Sequence, residues 1–144
     1  FTCNHCPFAK AYEERIVALD KKYASLGYPV IAINPNDAVQ YPDDDFKSMQ
    51  VRAKEKGFTF PYLHDESQAV AKKFGALKTP HIYIVQKEDN NLNIKYIGAI
   101  DDNSDDASAV TEKYVESAVD ALLKGEPVTV ANTKAIGCGI KWKK

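Results

Sequence analysis

After Pro7, apolar or aromatic side chains recur three or four residues apart at Phe8, Ala11, Tyr12, Ile16, Leu19 and Tyr23, with Lys10, Glu13, Glu14, Lys21 and Lys22 between them. That spacing predicts an amphipathic helix. Proline is tolerated at a first helical position because its missing N–H would be unpaired there, which puts Cys6 at or beside the N-cap. Residues 29–34 form a short, β-branched, nearly continuous apolar run between Gly27 and Pro35, the pattern of a buried parallel strand. Asp43, Asp44 and Asp45 stand before Phe46, Met49 and Ala53, so acids occupy the positive end of a second helix, closed by Gly57. Asp65 and Gln68 precede Val70 and Phe74, and Gly75 follows, predicting a third, shorter helix capped at both ends. Two strands, residues 81–85 and 93–100, flank Glu88, Asp89, Asn90 and Asn91 and read as an antiparallel hairpin. Tyr114, Val115, Ala118, Val119 and Leu122 make one face of a last helix, ended by Gly125 and Pro127.

This alternation of helices and strands implies an α/β layered fold. No repeat, low-complexity segment or linker divides the chain, so residues 1–144 read as a single domain with residues 126–144 as an extended tail. The 44% apolar content supports a core that needs no disulfide scaffold, and three cysteines are too few for one. Nineteen Lys and Arg against twenty Asp and Glu leave a net charge of −1, without the basic excess that drives binding to nucleic acid. No apolar run reaches the roughly eighteen residues of a membrane span. The sequence opens at Phe1 and its single methionine is Met49, so further residues upstream, a leader among the candidates, are expected.

The strong chemical signal is Cys3-Asn4-His5-Cys6, two thiols at the mouth of a helix. Free N–H groups and the helix dipole favour an anion there, so the Cys3 thiol is expected to ionise below the ordinary value of about 8.5. Protonated His5 would add a second positive group. With Cys6 one turn along, a mixed disulfide on Cys3 has a resolving thiol within the chain. Other uses of the same residues stay open. A zinc site would need a second half that the sequence lacks, since Cys138 stands alone. Soft Cu(I) would suit Cys3, Cys6 and a histidine, and two inert buried thiols are the plainest alternative. Cys138, between two glycines and near Trp142, reads either as a third redox thiol or as an ordinary tail cysteine. His64 reads as a loop residue, His81 as strand packing, and Asp101, Asp102 and Asn103 as a solvated acidic loop in preference to a cation site.

The stretches F-T-C-N-H-C-P-F, K-T-P-H-I-Y-I, I-D-D-N and G-C-G-I-K-W-K together resemble the thioredoxin-like proteins of the alkyl hydroperoxide reductase and thiol-specific antioxidant group, in its peroxiredoxin-like branch. The resemblance implies a thioredoxin-like fold, a mixed central sheet with helices on both faces, whose N-terminal strand or strands are missing from this chain. It implies that Cys3 is the attacking cysteine and Cys6 the resolving one, and that Thr79-Pro80 is a loop with a cis proline lying against them. Peroxiredoxins proper carry a threonine three residues before the peroxidatic cysteine; before Cys6 that position is Cys3. Asn4-His5 also differs from the Gly-Pro between the cysteines of typical thioredoxins.

These readings converge on a thiol–disulfide oxidoreductase with Cys3 and Cys6 as catalytic thiols, supported by His5, Thr79 and Pro80. No organic cofactor and no metal is called for, and the expected partner is a disulfide-containing protein substrate or redox partner. A thiol-dependent peroxidase passing through a sulfenic acid is the enzymatic alternative. A copper carrier on Cys3, Cys6 and a histidine is the non-enzymatic one. Resemblance and disulfide chemistry together point toward a bacterial periplasm or cell envelope.

Overall fold

The computed structural model describes residues 1–144. They form two compact units, Phe1–Pro80 with Gly137–Lys144, and His81–Ile136. Helices alternate with strands along the chain, as the sequence pattern predicts.

In the first unit, helix α1 spans Pro7–Tyr23 with Pro7 at its first position and Cys6 as an extended N-cap. Its buried face is Ala9, Tyr12, Glu13, Ile16, Asp20 and Tyr23, while Phe8 and Ala11 of the predicted stripe are exposed. Two carboxylates sit in that face because each has partners. Arg52 donates to both Glu13 oxygens, at 2.5 and 2.6 Å. Asp20 accepts the Val30 N–H at 2.9 Å and the Thr59 hydroxyl at 2.6 Å. The second of these pairs of contacts shortens the predicted strand. With the Val30 N–H committed to Asp20 and Ile31 exposed, strand β1 is only Ala32–Asn34. It pairs in parallel with β2, Tyr62–His64, and the Thr2 N–H donates to the Ile33 carbonyl at 2.9 Å, so residues 1–3 run beside β1.

Helix α2, Phe46–Glu55, is capped by Asp45, whose carboxylate accepts the Ser48 N–H at 2.7 Å. That is the helix start predicted for the acidic triplet, but only Asp45 serves it. Helix α3, Ala69–Phe74, is capped by Asp65, which accepts from the N–H groups of Val70 at 3.3 Å and Ala71 at 2.8 Å. Gln68, expected as part of that cap, instead lies in the left-handed region at φ 65° and points away from the helix. Its amide donates to the carbonyls of Pro35 at 2.8 Å and Lys141 at 2.9 Å and accepts the Lys143 N–H at 3.0 Å, tying down the chain end. Strands β3, Lys78–Thr79, and β6, Cys138–Gly139, pair antiparallel with Thr79 opposite Cys138.

The second unit is the predicted hairpin, β4 Ile82–Glu88 and β5 Asn91–Gly98, followed by helix α4, Tyr114–Leu123. Asp89 turns the hairpin at φ 55°, a conformation aspartate tolerates better than most residues. Residues 131–133 run beside β5, where the Thr133 hydroxyl meets the Tyr96 hydroxyl at 2.6 Å and accepts the Ala99 N–H at 2.9 Å. Gly98 is required there, because a Cβ would come within 2.1 Å of the Thr133 hydroxyl. No helix is long and apolar enough to cross a membrane.

Candidate active site

The site is assembled in the first unit from five stretches of chain: residues 3–6 entering α1, the turn before α2, the end of β1, the start of β2, and the β3–β6 pair. Cys3 and Cys6 are both buried, at 2% and 1% exposure, and form one apolar cluster with Ala9 against which Cys138 packs. Both sulfurs lie on Thr79: Cys3 Sγ is 3.4 Å from its hydroxyl and Cys6 Sγ 3.4 Å from its carbonyl oxygen. The Thr79–Pro80 peptide bond is cis, as the resemblance implies.

The pairing of the thiols differs from the expected Cys3–Cys6 couple. Cys6 is joined to Cys138 in a disulfide with Cα atoms 6.3 Å apart, and Cys3 is the free thiol. The β3–β6 register explains how a cysteine 132 residues away arrives there. Cys138 sits across from Thr79, and Gly137 passes so close to it that a Cβ would lie 2.4 Å from the Thr79 carbonyl oxygen.

The protonation expected for Cys3 is also corrected. Burial pushes the Cys3 thiol above its ordinary value, and the negative charge of Asp44 pushes the same way. The Thr79 hydroxyl and the N–H groups of Cys6 and His5 pull it down, so the helix-mouth effect is present. It is outweighed because the sulfur is withdrawn from water.

Asp44, fully buried, organises this end of the site. One carboxylate oxygen accepts the Asn4 N–H at 2.7 Å and the Asn34 amide at 3.1 Å; the other accepts the Asn36 amide at 2.9 Å and pairs with His5 Nδ1. His5, expected to place its charge beside Cys3, is thus engaged by Asp44, and its ring stacks on Tyr41. The Tyr62 hydroxyl donates to the Asn4 side-chain oxygen at 2.7 Å, and burial raises its pKa so that it keeps its proton. Sequence reasoning missed Asp44, Asn34, Asn36 and Tyr62. The available signal was the run of polar residues just past an apolar strand, the end at which open α/β sheets place their chemistry.

Donor atoms of Cys3, His5 and Asp44 lie within 4.8 Å of one another. The carboxylate among them already takes three hydrogen bonds and an ion pair, the full complement of its lone pairs. For the copper set considered from sequence, Cys6 is not available as a thiolate while it is bridged. A groove of about 480 Å³ is lined by Asn4 and His5, between the two cysteines in sequence, together with Lys10, Asp43 and Lys47 among others.

His64 ends β2 and stacks over Phe46, so it is a strand residue and not the loop residue expected. His81 belongs to the second unit, where its ring meets Tyr83 at 5.0 Å and burial lowers its pKa. In the acidic loop, Asp101 accepts the Asn103 N–H at 3.1 Å and Asp102 accepts the Thr111 N–H at 3.0 Å.

Residues 1–97 match the AhpC/TSA family. The chain belongs to that family. It is a thioredoxin-like group. Among solved structures, the chain is similar to an uncharacterized conserved protein from Geobacillus kaustophilus, with 44% identity and a TM-score of 0.89, over 99% of this chain and 75% of that one. It is likewise similar to the hypothetical protein SMc02350 from Sinorhizobium meliloti 1021, with 38% identity and a TM-score of 0.89, over 99% of this chain and 77% of that one. No curated protein matches the chain. Membership of the AhpC/TSA family and the Cys6–Cys138 disulfide both fit a thioredoxin-like redox function.

Proposed function

We propose that the protein is a thiol–disulfide oxidoreductase acting on disulfide-bonded proteins, with Cys3 as the attacking thiol and Cys6 as the thiol that resolves the mixed disulfide. The observation that carries this reading is the convergence of Cys3 and Cys6 on Thr79, immediately before the cis proline. From the reduced protein, the Cys3 thiolate attacks one sulfur of the substrate disulfide, forming a mixed disulfide and releasing the other substrate sulfur as a thiolate. Cys6 then attacks Cys3 Sγ, the second substrate thiol leaves, and two electrons have passed from the protein to the substrate. Thr79 favours the reactive form of Cys3, because its hydroxyl stabilises the thiolate.

The test uses insulin as a disulfide-bonded protein, with the double variant Cys6→Ser/Cys138→Ser. That variant is expected to accumulate insulin chains as covalent adducts on Cys3, and Cys3→Ser to trap none. Adducts that form only on Cys6 would reverse the order of attack.

The second reading is a thiol peroxidase, favoured by the Cys6–Cys138 bond itself. A sulfenic acid on Cys6 condensing with the Cys138 thiol would release water and leave that disulfide. Consumption of hydrogen peroxide in the presence of dithiothreitol, without reduction of insulin, would select it.

A further inference from the structure

We infer that Cys138 is a third catalytic thiol, which takes the disulfide over from Cys3 so that the oxidised protein rests with Cys6 bridged to Cys138, Cys3 free, and the external reductant entering at Cys138. The inference rests on the reading of Cys3 as the attacking thiol and extends it to the return half of the cycle.

Three cysteines share one buried cluster, so any single disulfide among them leaves one thiol over. Cys6 is the sulfur common to both chemically useful pairings. It lies three residues from Cys3, at the N-cap of α1, and it is bonded to Cys138. Substrate reduction creates the Cys3–Cys6 bond. The Cys138 thiolate then attacks Cys6 Sγ; the Cys6–Cys138 bond forms, the Cys3–Cys6 bond breaks, and Cys3 leaves as a thiolate that takes up a proton. This exchange is internal and consumes no oxidant or reductant.

Two features of the fold serve the handover. Thr79 touches the sulfurs of Cys3 and Cys6 and, through the β3–β6 register, faces Cys138, so one residue holds all three cysteines in place. Gly137 lets β6 approach β3 closely enough for this, where any side chain would meet the Thr79 backbone. Burial separates the ends of the cycle. Cys6 is 1% exposed whereas Cys138 is only partly buried, so a donor thiolate reaches the bridge at Cys138 Sγ, with Cys6 as the leaving group. A second donor thiol then releases Cys138.

The experiment reacts fully reduced protein with excess insulin, quenches in acid, alkylates with N-ethylmaleimide and maps tryptic peptides by mass spectrometry. Wild type is expected to show the peptide ending at Lys10 cross-linked to residues 135–141, with Cys6 in the bridge and the label on Cys3. Recovery of a Cys3–Cys6 bond with the label on Cys138 would overturn the inference. In Cys138→Ser the bond is expected to remain Cys3–Cys6. The first round of insulin reduction should be retained, but steady-state turnover driven by glutathione should fall at least tenfold. Wild-type turnover in that variant would equally overturn the handover. Failure of the reading beneath it looks different, since the first round of insulin reduction would then be absent from wild type itself.

Discussion

The carboxylate of Asp44 accepts the backbone N–H of Asn4 at 2.7 Å, fastening the segment between the two cysteines to a turn forty residues further along the chain. Because Asp44 also holds the amides of Asn34 and Asn36 and pairs with His5, its loss would strand several buried donors at once. Removing one partner from a buried charged network costs about 3–5 kcal/mol. Asp44→Ala is expected to lower the urea midpoint by a corresponding amount. Asp43 is exposed and reaches Asn4 through its backbone carbonyl, so Asp43→Ala should stay within about 0.5 kcal/mol of wild type. Equal losses in the two variants would remove Asp44 from the centre of the site.

Burial of Cys3 makes stability depend on pH with a definite sign. Its folded pKa is raised, so its contribution is complete below the unfolded thiol value of about 8.5 and is lost as pH rises through the folded value. The difference in unfolding free energy between wild type and Cys3→Ala should therefore be constant from neutral pH to about 8.5 and move against wild type above it. Taking the difference cancels the buried tyrosines, of which Tyr96 is pushed up to about 12 and also loses its contribution at high pH. A difference that stays flat through pH 10 would show that Cys3 ionises like an exposed thiol.

Thr79 is expected to control how readily Cys3 reacts. A hydrogen bond to a charged group contributes about 1.5 kcal/mol, roughly tenfold in the thiolate fraction. Thr79→Val should slow iodoacetamide labelling of Cys3 near neutral pH by about that factor, with Thr79→Ser restoring most of it. Loss of labelling in both variants would point to packing instead of the hydroxyl.

Gly137 and Gly139 make a matched pair on either side of Cys138. A Cβ on Gly137 would meet the Thr79 carbonyl oxygen at 2.4 Å, whereas one on Gly139 meets nothing within 4 Å. Gly137→Ala should cost about 1–3 kcal/mol and lower the fraction of Cys6–Cys138 disulfide formed on oxidation. Gly139→Ala should leave that fraction unchanged. Both readouts come from unfolding curves and peptide maps of the same samples.

The sequence by itself determined what depends on near neighbours. The helical period of α1 and α4, the proline at the entry of α1, an acidic start to α2 and a hairpin turning within Glu88–Asn91 are local patterns, and all appear in the structure. The cysteine motif was legible for the same reason, and with it the family. Tertiary structure decided whatever required distant residues to meet. Glu13 and Asp20 joined the buried face of α1 because Arg52, Val30 and Thr59 came to satisfy them. Asp44 left its apparent helix-start role because Asn4, Asn34 and Asn36 turned their N–H groups toward it. Cys6 found Cys138 because β6 paired with β3. The state of the Cys3 thiol was decided in the same way. The helix mouth that lowers its pKa is local, but the exclusion of water that raises it is made by the packing of segments far apart in the chain, and in a medium of low dielectric that exclusion is the larger effect.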